Sequence, residues 1–460
     1  MLTVVSLLAC VSDAPDDART AWLRDVLTRD NAPWLSRDPS LLAAKYARMA
    51  DDPYDFMRGS LSVFLADAAA PHTDRAPTRF LSDPDASAVL LAGDPHPENV
   101  STMLPGGDTT RPRTLELADL DGAAFGPWTV DVRRGALGVL ALTQDVPACD
   151  DACRVDVARS FADAYAARSL SSDPTPVRCD DAALPLAALL LCERTAESAR
   201  IHDARESRTT LEGPARAWAL DAAVDDAGRG LLAVTPEERA QVGRLVAAWT
   251  GRPPGFRLLD VARRYGMGVA SLPAVRYALL YDGGDDHPDD DAMLFFREVV
   301  DPPAPPGRLP SVPLLFDSNA ARAEQTARLL WSVPDADPRM NGLTDGAMTF
   351  KVVSWSDWQD GFEHADFVDA SVTTLVGLGS VVGEVLAGTH ARGLTVNGHP
   401  AATALHADLA GHEVALLDEV AAAAPLDLAQ LLADHARFVA ALETHGPLLG
   451  ADLPTQDTPR

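Results

Sequence analysis

The sequence predicts an α+β fold in which helices dominate, and three observations carry that expectation. Apolar residues recur at a spacing near 3.6 in "PSLLAAKYARMA" (39–50), "DFMRGSLSVFLADAAA" (55–70) and "ASVTTLVGLGSVVGEVLAGTHARG" (370–393). Two blocks between them have strand character: "ASAVLLA" (86–92) with "RTLELADLD" (113–121), and "AVRYALLYDGGDDHPDDDAMLFFREVV" (274–300). The composition is that of a globular chain, 47% apolar and 23% charged over 460 residues, long enough to bury a large core.

Taken in order, residues 20–66 read as helical segments. The apolar run 86–92 reads as a buried strand, followed by a loop and a second strand over 113–121. Amphipathic spacing returns in "VRRGALGVLALT" (132–143), "CRVDVARSFADAYAARSL" (153–170) and "PEERAQVGRLVAAWT" (236–250), all expected to be helices. Residues 274–300 read as two strands joined by an acidic hairpin loop, and the Pro-rich "DPPAPPGRLPSVP" (301–313) as a surface loop. Helices follow over 318–333 and 370–393, then two Ala-rich segments to about 445. The expected organisation is a signal and tether over 1–25 and a lobe over 26–255. A β-rich segment over 256–315 and a helical segment over 316–460 complete it.

Charge excludes one class of partner. Carboxylates outnumber Lys and Arg 67 to 39, a formal charge of −28, whereas a nucleic-acid surface needs cations to neutralise phosphate. The start, "MLTVVSLLAC", is an apolar run ending in Cys10 and followed by an acidic, flexible stretch; Leu-Leu-Ala-Cys resembles a bacterial lipobox. The expectation is a lipid-anchored or periplasmic protein of the bacterial cell envelope, touching membrane only through that anchor. The other cysteines, Cys149, Cys153, Cys179 and Cys192, lie within 44 residues of one another. An even, clustered set suits two disulfides in an oxidising compartment, with three pairings open. Their spacing matches a zinc ribbon or finger poorly, and buried free thiols are the bland alternative.

The segment with most chemistry is "GDPHPENV" (93–100), which leaves the first strand carrying Asp94, His96, Glu98 and Asn99. The second strand ends in "ADLDG", offering Asp119 and Asp121. If the two strands are neighbours, these oxygen-bearing side chains converge on one volume. Hard oxygen donors of this kind suit Mg2+ shared with phosphates, and a remaining carboxylate can orient a hydroxyl for attack. A plain turn, with Asp and Asn capping backbone amides, is the structural alternative.

The spacing is similar to the catalytic segment of aminoglycoside phosphotransferases and choline kinases: G-D-x-H-x-x-N, an aspartate on the next strand, then G-x-x-x-x-D at a helix start. Here the pieces are Gly93 to Asn99, Asp119, and "GPWTVD" with Gly126 and Asp131. The resemblance implies Asp94 as base, Asn99 and Asp119 as metal ligands with Asp121 beside them, Asp131 as a structural carboxylate and His96 as a loop brace. Mg2+ and ATP are the implied cofactors, and the acceptor is a small molecule. Nearly the whole chain resembles the bacterial family catalogued as domain of unknown function 2252, grouped with kinase-like folds. That likeness rests on "RMADDPYDFMRGS" (48–60), "GDPHPEN", "LADLDGAAFGPWTVDVRR" (117–134), "RYGMGVASLPAVRY" (264–277), "FREV" (296–299) and "LAGTHAR" (386–392). It implies supporting roles for Arg58, His390 and Arg392, and nucleotide-binding roles for Gly268, Ser271 and Arg297.

Two departures stand out. Ala270 and Pro273 replace loop glycines of the family pattern, which removes conformational freedom and one amide donor. Arg297 stands where the family has lysine, keeping the charge but not the geometry. The glycine-loop segment also follows the Asp94 segment, whereas kinases have the opposite order, so the resemblance implies a two-lobed, circularly permuted fold. The chain lacks the further motifs of metallophosphoesterases. A non-enzyme alternative is an exported pseudokinase that keeps the fold as a binding module.

Overall fold

A computed structural model describes residues 16–451 apart from 70–79, 82–85, 174, 197–204, 213–214, 226–227, 284–287, 289, 303–315, 334 and 357. Cys10 and most of the Pro-rich stretch 301–313 therefore lie outside the described residues.

Carboxylate caps start the first helices. Asp17, Asp38 and Asp52 each accept a backbone N–H, capping α1 (Ala18–Asp30), α3 (Pro39–Asp51) and α4 (Pro53–Gly59). Helix α2 (Ala32–Arg37) lies between the first two. The helix expected over 55–70 breaks at Ser60, which separates α4 from α5 (Leu61–Ala69).

Next come β1 (Ala88–Leu90), β2 (Val100–Met103), β3 (Thr114–Leu117) and β4 (Phe125–Pro127). The strands expected over 86–92 and 113–121 are not neighbours. Strand β1 pairs antiparallel with β4, and β3 pairs with β2. The sequence reading passed over β2 because "VSTM" is too short and too polar to show alternation. The 93–99 loop consequently runs from one two-stranded ladder into the other.

Helix α6 (Trp128–Leu142) is buried along its whole length. It is followed by α7 (Asp151–Leu170), α8 (Leu186–Arg194) and the hairpin β5 (Thr209–Glu212)–β6 (Ala215–Trp218). Then come β7 (Gly230–Ala233), α9 (Pro236–Ala248), β8 (Leu258–Tyr265), β9 (Arg276–Tyr281) and β10 (Ala292–Glu298). The chain continues through α10 (Asn319–Leu330), β11 (Gly342–Asp345), β12 (Met348–Ser354), α11 (Val372–Arg392), α12 (Ala401–Leu409) and α13 (Glu413–His445). The fold is α+β with helices dominating.

Six strands form one antiparallel sheet in the order β11-β12-β10-β9-β8-β7. It draws on residues 230–354, beyond the 256–315 segment that reads as β-rich in the sequence. Strand periodicity explains its two faces. Val261, Leu279, Leu294, Phe296 and Val352 pack under Val242, Leu245 and Trp249 of the α9 region. Ala262, Ala278, Leu280 and Met293 point the other way, with Trp218 and Trp355.

The helical core is organised around α11, which is long and apolar enough to cross a membrane by length and composition alone. Of that apolar stretch, 67% is buried within the fold. Its glycines have a packing reason. A Cβ on Gly383 would lie 2.1 Å from the Phe161 carbonyl oxygen, and one on Gly379 2.6 Å from that of Val157. Only glycine lets α11 lie this close to α7.

Both cysteine pairs are disulfides, Cys149–Cys153 at the start of α7 and Cys179–Cys192 tying the segment after α7 to α8. Pairs of this kind persist in oxidising compartments.

Candidate active site

Gly93 brings the two acidic segments together. It has φ +94°, a left-handed value that favours glycine, and a Cβ there would sit 2.1 Å from the Gly122 carbonyl oxygen. The 93–99 loop and the 119–122 turn thus touch through bare backbone. Beyond Gly93 the β2–β3 ladder continues the contact: Val100 faces Leu117, and the Ala118 N–H donates to the Asn99 carbonyl at 2.8 Å. Asp119 is the next residue, so Asn99 and Asp119 share one end of a hairpin.

The segment is held from behind by buried groups. Asp131, in the first turn of α6, accepts the Ala92 N–H at 2.7 Å and lies 3.0 Å from His390 Nε2. His390 Nδ1 meets the Tyr165 hydroxyl at 2.9 Å. Asp131 and His390 are one layer behind the cavity, bracing the exit of β1. Asp94 Oδ1 accepts from Arg134 Nε at 2.7 Å, and Arg134 is itself buried and donates to the Met57 carbonyl. His96 Nε2 lies 3.8 Å from Asp94 Oδ2, outside hydrogen-bond range. Burial pushes the His96 imidazole down to about 3, so the ring is neutral. Arg58 bridges Asp55 at 2.9 Å and Glu98 at 2.8 Å, fixing the loop against α4.

The sheet presents cations to these carboxylates. Arg297 on β10 reaches Asp119 at 2.7 Å and Asp121 at 3.1 Å; Lys351 on β12 reaches Asp121 at 2.6 Å and Asp119 at 3.4 Å. Burial alone would raise the Asp119 carboxyl, but Arg297 and Lys351 hold it well below the usual carboxylate range.

Asp94, Asn99, Asp119, Asp121, Gly268, Ser271 and Arg297 line one cavity of about 610 Å3, which Arg58 and His96 also border. A second cavity of about 370 Å3 shares Asn99, Asp119 and Arg297, and adds Lys351 with Trp331, Trp355 and Trp358. Gly268 has φ +72°, and Ser271 Oγ accepts from Arg276 at 2.7 Å, so this loop serine is turned to the sheet. Arg392 stands apart. It bonds the Leu330 carbonyl at 2.7 Å and Glu116 at 2.9 Å, joining α11 to α10 and β3.

Sequence reasoning missed Lys351, Arg134 and Arg276. A signal for the first was present: the chain has 39 Lys and Arg residues, yet only Lys45 and Lys351 are lysine. Both are buried and both border cavities.

Fold and site together define a class: an α+β, helix-dominated protein in which two acidic loops face the cationic side of an antiparallel sheet across a cavity. The chain belongs to the bacterial family described as "Uncharacterized protein conserved in bacteria (DUF2252)", which matches residues 37–441. Searches of curated proteins and of solved structures return no match.

Proposed function

We propose that the protein is a Mg2+-dependent phosphotransferase that moves phosphate from ATP to a small-molecule acceptor, on a circularly permuted kinase-like fold. The carrying observation is the convergence of Asp94, Asn99, Asp119 and Asp121 on one cavity, with Arg297 and Lys351 paired to the last two. The sheet supports the kinase-like part. The Gly268 loop joins β8 to β9 and Arg297 lies on the next strand, an order kinases use for their phosphate-covering loop and phosphate-gripping cation.

The donor set fits a hard divalent cation. Asn99 Nδ2 donates to the Asp94 carbonyl at 2.7 Å, which leaves its Oδ1 for a cation beside the Asp119 and Asp121 carboxylates. Bound there with nucleotide, Mg2+ supplies neutralisation of phosphate charge. Arg297 and Lys351 hold the two carboxylates in place and would add positive charge beside a bound phosphate. Asp94, fixed by Arg134, accepts the proton of the acceptor hydroxyl and orients it. His96, neutral and buried, supports the loop.

A second reading rests on the disulfides. They favour an oxidising compartment, where ATP is scarce, and so an envelope-located binding module that has kept the fold without catalysis.

Thermal shift separates the two. With millimolar ATP or GTP, a Mg2+- or Mn2+-dependent rise in Tm is expected, about 2.7 kcal/mol of added stability at 100 times the dissociation constant. Asp119→Asn should abolish the rise. Asp94→Asn should retain it but stop phosphoryl transfer. No shift with any nucleotide and metal favours the binding module.

A further inference from the structure

Four cations stand in a row on the cavity face of the sheet. Arg297 faces Arg276 across the β9–β10 ladder and Lys351 across the β10–β12 ladder. Arg263 faces Tyr277, so one step along each strand brings Arg264 level with Arg276. Like charges set directly opposite one another repel and need compensation. Asp119 and Asp121 supply it for Arg297 and Lys351.

Among the described residues no carboxylate pairs directly with the other two, and Asp119 and Asp121 act on Arg276 only through space. Arg276 is only 6% exposed, and its guanidinium bonds the Met267 carbonyl and Ser271 Oγ. Arg264 lies over the rings of Phe295 and Trp355, 4.8 and 5.3 Å from their centroids. Among the described residues neither has a carboxylate partner. A buried cation without an anion carries a large desolvation cost. Consistently, burial and the neighbouring Arg297 push Arg276 down to about 9, and burial and Arg208 push Arg264 down to about 10. Arg297 Nε is also buried without a hydrogen-bond partner. Both unpaired guanidinium groups border the 610 Å3 cavity.

We propose that Arg264 and Arg276, with the adjoining edge of Arg297, form an anion subsite under the 266–275 loop that binds a phosphate group. Pro273 has no backbone N–H to offer a phosphate, so the side-chain cations of the row supply the contacts beneath this loop. Guanidinium forks suit phosphate oxygens in bidentate geometry. The phosphate comes either from a nucleotide or from a phosphorylated small molecule. This inference extends the phosphotransfer reading but stands without it, because it needs neither metal nor catalysis.

Calorimetric titration of the full chain with inorganic tripolyphosphate in chelator-containing, metal-free buffer tests it. The wild type should bind, with affinity falling as salt rises. Arg264→Gln and Arg276→Gln should each weaken binding about tenfold or more, the loss of a charge-assisted contact. Asp119→Asn, which disables the proposed metal site, should bind at least as tightly as wild type. Competition by ATP identifies the nucleotide as the phosphate source, and competition by glucose 6-phosphate the phosphorylated small molecule. The inference is overturned by absence of binding at millimolar tripolyphosphate, by undiminished binding in either arginine variant, or by competition from neither compound. Arg264 is the less buried of the pair, so its variant keeps the test decisive if Arg276→Gln does not fold.

Discussion

Lys351 stands directly across the β10–β12 ladder from Arg297, and the two cations between them grip both carboxylates of the Asp119–Asp121 turn. This clamp joins the six-stranded sheet to the turn that follows the β2–β3 hairpin, at the centre of the candidate site. It also tells how the site should respond to mutation and pH.

Removing Lys351 leaves two partly buried carboxylates to share one cation, Arg297. Lys351→Met should destabilise the protein by about 1–3 kcal/mol. Lys351→Met combined with Asp121→Asn should cost less than the sum of the two single changes. Denaturant unfolding of all four members of the cycle measures the coupling. Strict additivity would show that the 2.6 Å pair does not contribute.

Two groups set pH windows for stability, and in both the stability is lost as pH falls. The Asp119 carboxyl is held low in the folded state, so its contribution is full above the unfolded value near 3.9 and is lost as pH falls through the folded one. His96 titrates at about 3 when folded but about 6.5 when unfolded, so acid favours the unfolded chain from about pH 6.5 downward. Stability measured between pH 6.5 and 4 should therefore fall less steeply in His96→Asn than in wild type. An unchanged slope would mean that His96 accepts a proton in the native state.

The Gly93–Gly122 contact makes an asymmetric prediction. Gly93→Ala forces a side chain into positive φ, costing about 1–3 kcal/mol, and drives a methyl into the Gly122 carbonyl. It should separate the acidic loops and remove any metal-dependent thermal shift. Gly122→Ala places its Cβ 3.4 Å from Gly93 and should be far milder. Equal Tm losses in the two variants would argue against the close approach.

Non-reducing peptide mapping should recover Cys149–Cys153 and Cys179–Cys192. Closing the 13-residue separation constrains the unfolded chain more than closing the 4-residue one, by chain-entropy reckoning about 3 against about 2 kcal/mol. Cys179→Ser with Cys192→Ser should thus lower Tm more than the other double variant.

The amino-acid sequence by itself determined the helix-dominated α+β class, because periodicities of 3.6 and 2 are local properties of the chain. Helix α3 spans 39–51 against an expected 39–50, and α11 spans 372–392 against 370–393. The β9–β10 hairpin was legible for the same reason, its two apolar runs flanking an acidic turn. The close spacing of Asp94 and Asn99, and of Asp119 and Asp121, was equally visible, since each pair lies within one loop.

Pairing partners were not. Only the tertiary structure decided that β1 joins β4 and that β2 joins β3, because strands of three and four residues carry too little pattern to specify a neighbour. It alone put Lys351 beside Arg297, 54 positions earlier by residue number, and Arg134 on Asp94. It alone left Arg264 and Arg276 without a paired carboxylate among the described residues. Charge compensation depends on distances across ladders and between loops and the sheet, and these arise when the chain packs, whereas helical and strand periodicity is written within a few residues.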